Sequence, residues 1–189
     1  KATDRLDLTL VVADRPCAAA GVFTTNDVKA APVRSCQQVL AVSADRIRGI
    51  VGNSGNANAC TAAQGDVDAA AMAKLSAVAV GTPDDAFLVC STGRIGELLP
   101  MAKVAAGIKA SAACLSRDAA EGVRSANAIL TSDTRPKSCT ARGRSRSLVS
   151  MSLSAFLFRS SSERALTRSV VHKSTPPTSR ITSRNGRFV

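Results

Sequence analysis

Residues 47–65 read IRGIVGNSGNANACTAAQG, and three kinds of local structure meet in them. IRGIVGN (47–53) is apolar enough for a strand. NSGNANAC (53–60) suits neither a helix nor a strand interior: Gly and Asn tolerate positive φ, and Asn and Ser side chains bond to nearby backbone amides, so the string predicts a shaped turn. Thr61-Ala-Ala-Gln64 matches a capping box, with Thr61 as N-cap and Gln64 reaching back. The helix it opens carries Val67, Ala71, Leu75 and Val78 along one stripe, and Gly81-Thr-Pro closes it.

The chain on either side repeats this grammar. LDLTLVVA (6–13) reads as a strand ended by ADRP, and AAGVFTT (19–25) as a second. NDVKAAPV (26–33) follows as a turn and an extended segment in which Pro32 suits an edge, with a short helix expected over Cys36–Val42. Downstream, AFLVCST (86–92) is a buried strand running into Gly93. Pro100 stands where a helix begins, with Met101, Val104, Ile108 and Leu115 as its stripe. SRDAAEGVRSANAIL (116–130) is a last helix, with Ser116 as cap and Asp118 and Glu121 near its positive end. Strands first and strand–loop–helix units after them predict an α/β (α+β) body, a mixed sheet packed against helices.

Charge divides the chain. The formal net charge is +11 over 189 residues, yet residues 1–137 hold 15 Lys or Arg against 13 Asp or Glu. Residues 138–189 hold 10 basic residues and a single acid, Glu163. The basicity therefore belongs to a tail, and two regions are expected: a body at 1–137 and a Ser/Arg-rich tail at 138–189. No run of 18 apolar residues predicts a membrane helix. Cysteines at 17, 36, 60, 90, 114 and 139 form no Cys-x-x-Cys pair, and the one histidine, His172, lies in the tail. No metal site is expected from such spacing, and reduced thiols in a cytoplasmic protein are.

Two strings invite chemistry. In STG (91–93), at a strand end, Gly lets a backbone N–H face a substrate oxygen, and such a donor is worth about 3 kcal/mol to an oxyanion. NSGNAN could cradle an anion before a helix N-terminus, but it lacks both the Gly-Lys-Ser/Thr of a P-loop and the G-x-G-x-x-G of a dinucleotide site. A plain turn is the bland reading of each. With its histidine in the tail, the sequence supports neither a Ser-His-Asp triad nor a Cys-His pair. Nucleophilic chemistry would need a hydroxyl with another base, such as an N-terminal amine.

GVFTTNDVKAAPV (21–33), VGNSGNANACTAAQG (51–65), STGRIGELLPM (91–101) and AILTSDTRPK (128–137), in that order, resemble the ornithine acetyltransferase (glutamate N-acetyltransferase) family of arginine biosynthesis. KATDRLDLTLVVADRP resembles the family's opening strand. The resemblance runs over residues 1–137 and implies an incomplete, α-chain-like portion of such an enzyme. It implies acetyl transfer from N-acetylornithine to glutamate through an acetyl-threonine, with acetyl-CoA as a donor in bifunctional members and no bound cofactor. The family precursor cuts itself before that threonine, and its α and β chains pair into a heterotetramer. Carried over, Thr92 and Gly93 match the oxyanion-hole pair and Thr131 a substrate-binding threonine, with Ser132 beside it as a competitor. Arg94 stands where a small apolar residue is usual, and Ser132 where Thr is.

After Lys137 the pattern departs. The family's Gly-Lys segment and Asn-Met-Ala-Thr cleavage site are not matched, so no nucleophile is assigned in this chain; Ser152 and Ser154 in MSLSAFLF (151–158) only echo the site. The tail, with 13 Ser and 5 Thr in 52 residues, is expected to be irregular, either a basic arm or the product of a changed reading frame. The competing function is a non-catalytic protein whose tail binds nucleic acid through clustered Arg. Only Phe156, Phe158 and Phe188 are there to stack on bases, which weighs against it.

Overall fold

The computed structural model describes residues 5–133 and the backbone of three short strands beyond them. A long strand, β1 (Leu8–Gly21), lies at the centre, antiparallel to β2 (Ile47–Asn56), which is parallel to β3 (Phe87–Arg94). The parallel pair requires a crossover, supplied by the 19-residue helix α2 (Ala62–Val80). Helix α1 (Ala31–Ser43) joins β1 to β2, and α3 (Met101–Ala113) and α4 (Ala119–Ala128) follow β3. The sheet is mixed and packed against helices, as the sequence predicts.

Alternation along β1 sorts the helices onto two faces. Leu8, Leu10 and Val12 join Val51, Phe87, Val89, Met72, Val104 and Ile108 in one core, under α2 and α3. Ala13 and Cys17 join Ile47, Ile50, Leu88 and Cys36 in a second, under α1. Thr9 faces α4, where its hydroxyl donates to Ser125 Oγ at 2.9 Å.

Several local expectations change. The strand expected at 6–13 and the start of the one expected at 19–25 are a single strand, because an irregularity between Val12 and Cys17 absorbs Asp14-Arg-Pro16 without ending it; it stops at Gly21, and residues 22–25 are not strand. Pro32 is no edge residue: it sits in the first turn of α1, where its missing N–H costs nothing. β2 runs on through the expected turn to Asn56. Thr61 is the N-cap of α2, but the capping box does not form: Thr61 Oγ1 donates to Asn58 Oδ1 at 2.8 Å, and Gln64 Nε2 to Asp68 Oδ1 at 2.9 Å. The face of α2 is also different. Gly65, Ala69, Met72, Ala73, Ser76 and Ala77 are buried, whereas Val67 and Val78 are 60% and 64% exposed. Small side chains let the helix lie close to the sheet, and close packing wins over branched bulk. Helix α4 is capped by Asp118, whose carboxylate accepts from Ala120 N at 3.0 Å, while Ser116 Oγ accepts from Asp118 N. Met101, Val104 and Ile108 line α3 as expected, but Leu115 lies past its end at Ala113 and packs on the core from there; the end of α2 at Gly81, in the left-handed conformation, stands as expected.

Nor is the tail irregular throughout. β4 (Leu148–Met151), β5 (Phe156–Arg159) and β6 (Thr167–His172) are strands; β5 and β6 pair antiparallel with β1, and β4 with β5. Short β-prone runs such as FLF and VV find backbone partners along β1 despite the basic composition around them.

Candidate active site

The candidate site residues Thr92 and Gly93 lie at the carboxyl end of β3, beside that of its parallel neighbour β2. The register is Asn53↔Ser91, Ser54↔Thr92, Gly55↔Gly93 and Asn56↔Arg94. The strand expected to end at Thr92 runs on to Arg94; Gly93 has φ +132° and Gly55 φ +121°, regions that other L-residues avoid, so both strands carry irregular dihedrals at the same level while the ladder continues. The approach is close: a Cβ on Gly93 would lie 2.2 Å from Gly55 O. Only glycine lets the β3 backbone sit there.

Ser54 shows which elements meet. Its N–H donates to Asp7 O at 2.8 Å, and its buried hydroxyl donates to Ala128 O in the last turn of α4. Register partners in a parallel ladder project from the same face, so Thr92 shares the face to which α4 is tied. Thr131 lies three residues beyond Ala128, half-buried, its carbonyl accepting from Arg5 Nη1 at 3.0 Å. The structure thus leads the Thr92–Gly93 end of β3 and the segment that runs on from Ala128 to Thr131 toward one end of one sheet face; Ser132 is exposed. Ser54 was not singled out from sequence. The available signal was a hydroxyl at a strand end inside a run of Asn and Gly.

The rest of NSGNAN builds walls. Asn58 is fully buried at φ +48°; its Nδ2 donates to Gly65 O at 2.8 Å and its Oδ1 accepts from Thr61. Asn53 Nδ2 donates to Asn56 O at 3.0 Å, and Asn56 Nδ2 to Leu98 O at 2.8 Å. At the rim Arg94 pairs with Glu97 at 3.1 Å, and both side chains are largely in water, so the pair adds little stability. Burial, with Cys36 nearby, pushes the Cys90 thiol up and keeps it protonated, which disqualifies it as a ready nucleophile. Among the described residues no three His, Cys, Asp or Glu side chains gather as a metal site. Ser152, Ser154, Cys139 and the Arg142–Arg146 run lie outside the described residues.

A family model described as the ArgJ family matches residues 1–155, most of the chain and beyond Lys137. The chain belongs to the ArgJ family. The arginine biosynthesis bifunctional protein ArgJ of Symbiobacterium thermophilum is 50% identical over 136 residues, 72% of this chain and 33% of that protein. Its counterpart in Thermotoga neapolitana is 47% identical over 133 residues, 70% of this chain and again 33% of the relative. The chain therefore spans about a third of the length of the curated ArgJ relatives it matches. Among solved structures, the ornithine acetyltransferase of Mycobacterium tuberculosis complexed with ornithine superposes with TM-score 0.64 at 34% identity, covering 97% of this chain and 86% of that one. ArgJ of Bacillus halodurans gives 0.61 at 30%, covering 89% and 78%.

Proposed function

We propose that this ArgJ-family chain is the α-chain-like portion of a glutamate N-acetyltransferase, moving acetyl from N-acetylornithine to glutamate in arginine biosynthesis. The close fit of Gly93 against Gly55 carries the reading, since beside Thr92 it sets the β3 backbone in a conformation that only glycine adopts readily. In this role the Thr92 hydroxyl and the Gly93 N–H stabilise the oxyanion that forms when the acetyl carbonyl is attacked. Thr131 binds the amino-acid part of the substrate; the ornithine in the M. tuberculosis relative supports that ligand class. The attacking threonine comes from a β chain of the same family, the two chains assembling into a heterotetramer, and this chain alone does not turn over. Acetyl-CoA serves as a second donor if the whole protein is bifunctional, as its relatives are named. The work is that of a cytoplasmic enzyme without a bound cofactor; among the described residues no helix is long and apolar enough to cross a membrane.

The test mixes the full chain with the separately produced remainder of the S. thermophilum relative and follows acetyl transfer from N-acetylornithine to glutamate. Transfer is expected in the mixture and not from either part alone, with Thr92→Ala lowering kcat by about 100-fold. Turnover by the chain alone, or an acetyl group on Ser152 or Ser154, overturns the assignment.

A further inference from the structure

We propose that Asn53 and Asn56 are positioning residues that clamp the Thr92–Gly93 end of β3 from behind, an inference that rests on the acyl-transfer reading for its purpose but not for its geometry. The surface under Gly93 is the Gly55–Asn56 peptide. A Cβ on Gly93 would meet Gly55 O at 2.2 Å, the Gly55 carbonyl carbon at 2.3 Å and Asn56 N at 2.8 Å. Any drift of that peptide moves the floor on which this end of β3 rests.

Two side-chain amides brace Asn56, the residue on its far side. Asn53 is anchored on both sides, paired with Leu8 across one ladder and Ser91 across the other. From that fixed base its Nδ2 reaches over the Ser54–Gly55 step to Asn56 O. Asn56 Nδ2 then bonds to Leu98 O, tying the same residue to the loop into which β3 runs. Backbone bonds from Ala57 N to Arg94 O and from Gly96 N to Ala59 O, both 2.8 Å, close the ring. The chain just after Gly93 is thus tied, at Arg94, Gly96 and Leu98, to Asn56 and the residues that follow it.

Asn53 is an unfavourable choice for stability alone. It is 6% exposed, and its Oδ1 is buried with no hydrogen-bond partner among the described residues. A buried acceptor without a partner destabilises a fold, and an apolar side chain of the same shape does not have that defect. The retained amide is explained by the geometry its donor end imposes.

Hydrogen–deuterium exchange on the full chain reads the clamp without turnover. Asn53→Leu keeps the branched shape and removes both polar atoms. It is expected to leave the thermal midpoint unchanged or higher, while amides 93–96 exchange about fivefold faster and those of α3 do not change. Asn56→Ala, at a partly exposed position that tolerates truncation, is expected to speed the same amides by a similar factor. Unchanged exchange at 93–96 in either variant overturns the clamp, as does an equal acceleration in α3, which marks general loosening. In the reconstituted transfer mixture, Asn53→Leu is expected to lower kcat about tenfold with KM unchanged; a fall in KM-dependent binding alone overturns the positioning role. A wild-type mixture that transfers no acetyl defeats the acyl-transfer reading, and the exchange result still decides the clamp.

Discussion

Gly93 sits against Gly55 with no room for a side chain: a Cβ added to Gly93 would come within 2.2 Å of Gly55 O, at φ +132°. Two costs therefore add in Gly93→Ala, a backbone conformation that Ala resists and a collision with main chain that cannot rotate away. The expected loss is about 3 kcal/mol or more. Gly55→Ala, at φ +121° but with nothing within 4 Å of the new Cβ, carries the strain alone and is expected to lose about half as much. Urea denaturation of the two variants checks the order. Equal losses would show that strain, not contact, governs this end of β3.

The Ser54–Ala128 bond connects the site's two halves. Ser54→Ala removes a buried hydroxyl that holds the last turn of α4 under β2. The expected global loss is about 1 kcal/mol. Amides at 128–131 are expected to exchange faster, while those around Val104 and Ile108 keep their protection. Calorimetric titration with ornithine adds the functional arm. Thr131→Ala and Ser54→Ala should both weaken binding, and Ser132→Ala, at an exposed position, should not. A larger effect from Ser132 would move the substrate threonine's role to its neighbour.

Much of this was legible from residues. Strand β3, the Pro100 helix start, the α3 stripe and the Gly81 stop are local signals, each set by a residue's own backbone preference. The α/β class followed from their order. What the sequence withheld depends on partners far along the chain. Pro32 reads as an edge residue or a helix start depending on what Ala30 does before it, and only the fold decides. Val67 and Val78 advertise a buried stripe, but the sheet accepts the Ala and Ser face because it comes closer. Thr92 and Gly93 stand out as candidates only through a family motif. Ser54 and Asn53 gain their meaning only when β3, 38 positions along the ladder register, lies beside them.

The orientation of α2 is open to direct test. Val67→Lys, on the exposed face, should change stability by no more than about 0.5 kcal/mol. Met72→Ala, at a position with no exposure, should cost about 2–5 kcal/mol through lost contacts and a cavity. Thermal or urea unfolding distinguishes them at once. If Val67→Lys were the more damaging, the face predicted by hydrophobic periodicity would be the buried one after all.

The final prediction concerns alkaline stability. Cys36 lies between α1 and β3, its Sγ donating to Val89 O at 3.2 Å and accepting from Val89 N at 3.3 Å. Burial pushes its pKa up to about 11 from the ordinary 9.0, against a smaller opposing effect of the Val89 hydrogen bond. Below pH 9 the thiol is protonated whether the chain is folded or not, and its full contribution is present. As pH rises from 9 to 11 the unfolded chain gives up the proton and the folded one keeps it, so folding becomes less favourable. The loss approaches about 1.4 kcal/mol per pH unit across that window, on the order of 2–3 kcal/mol in all. Cys17 and Cys90 are raised by burial too and push in the same direction. Urea midpoints at pH 7.5, 9.0 and 10.5 should therefore fall more steeply in the wild type than in Cys36→Ala, although the variant starts lower at pH 7.5 for want of the sulfur's packing. Parallel slopes would mean that the Cys36 thiol titrates in the folded chain as it does in water, and that water reaches the seam between α1 and β3.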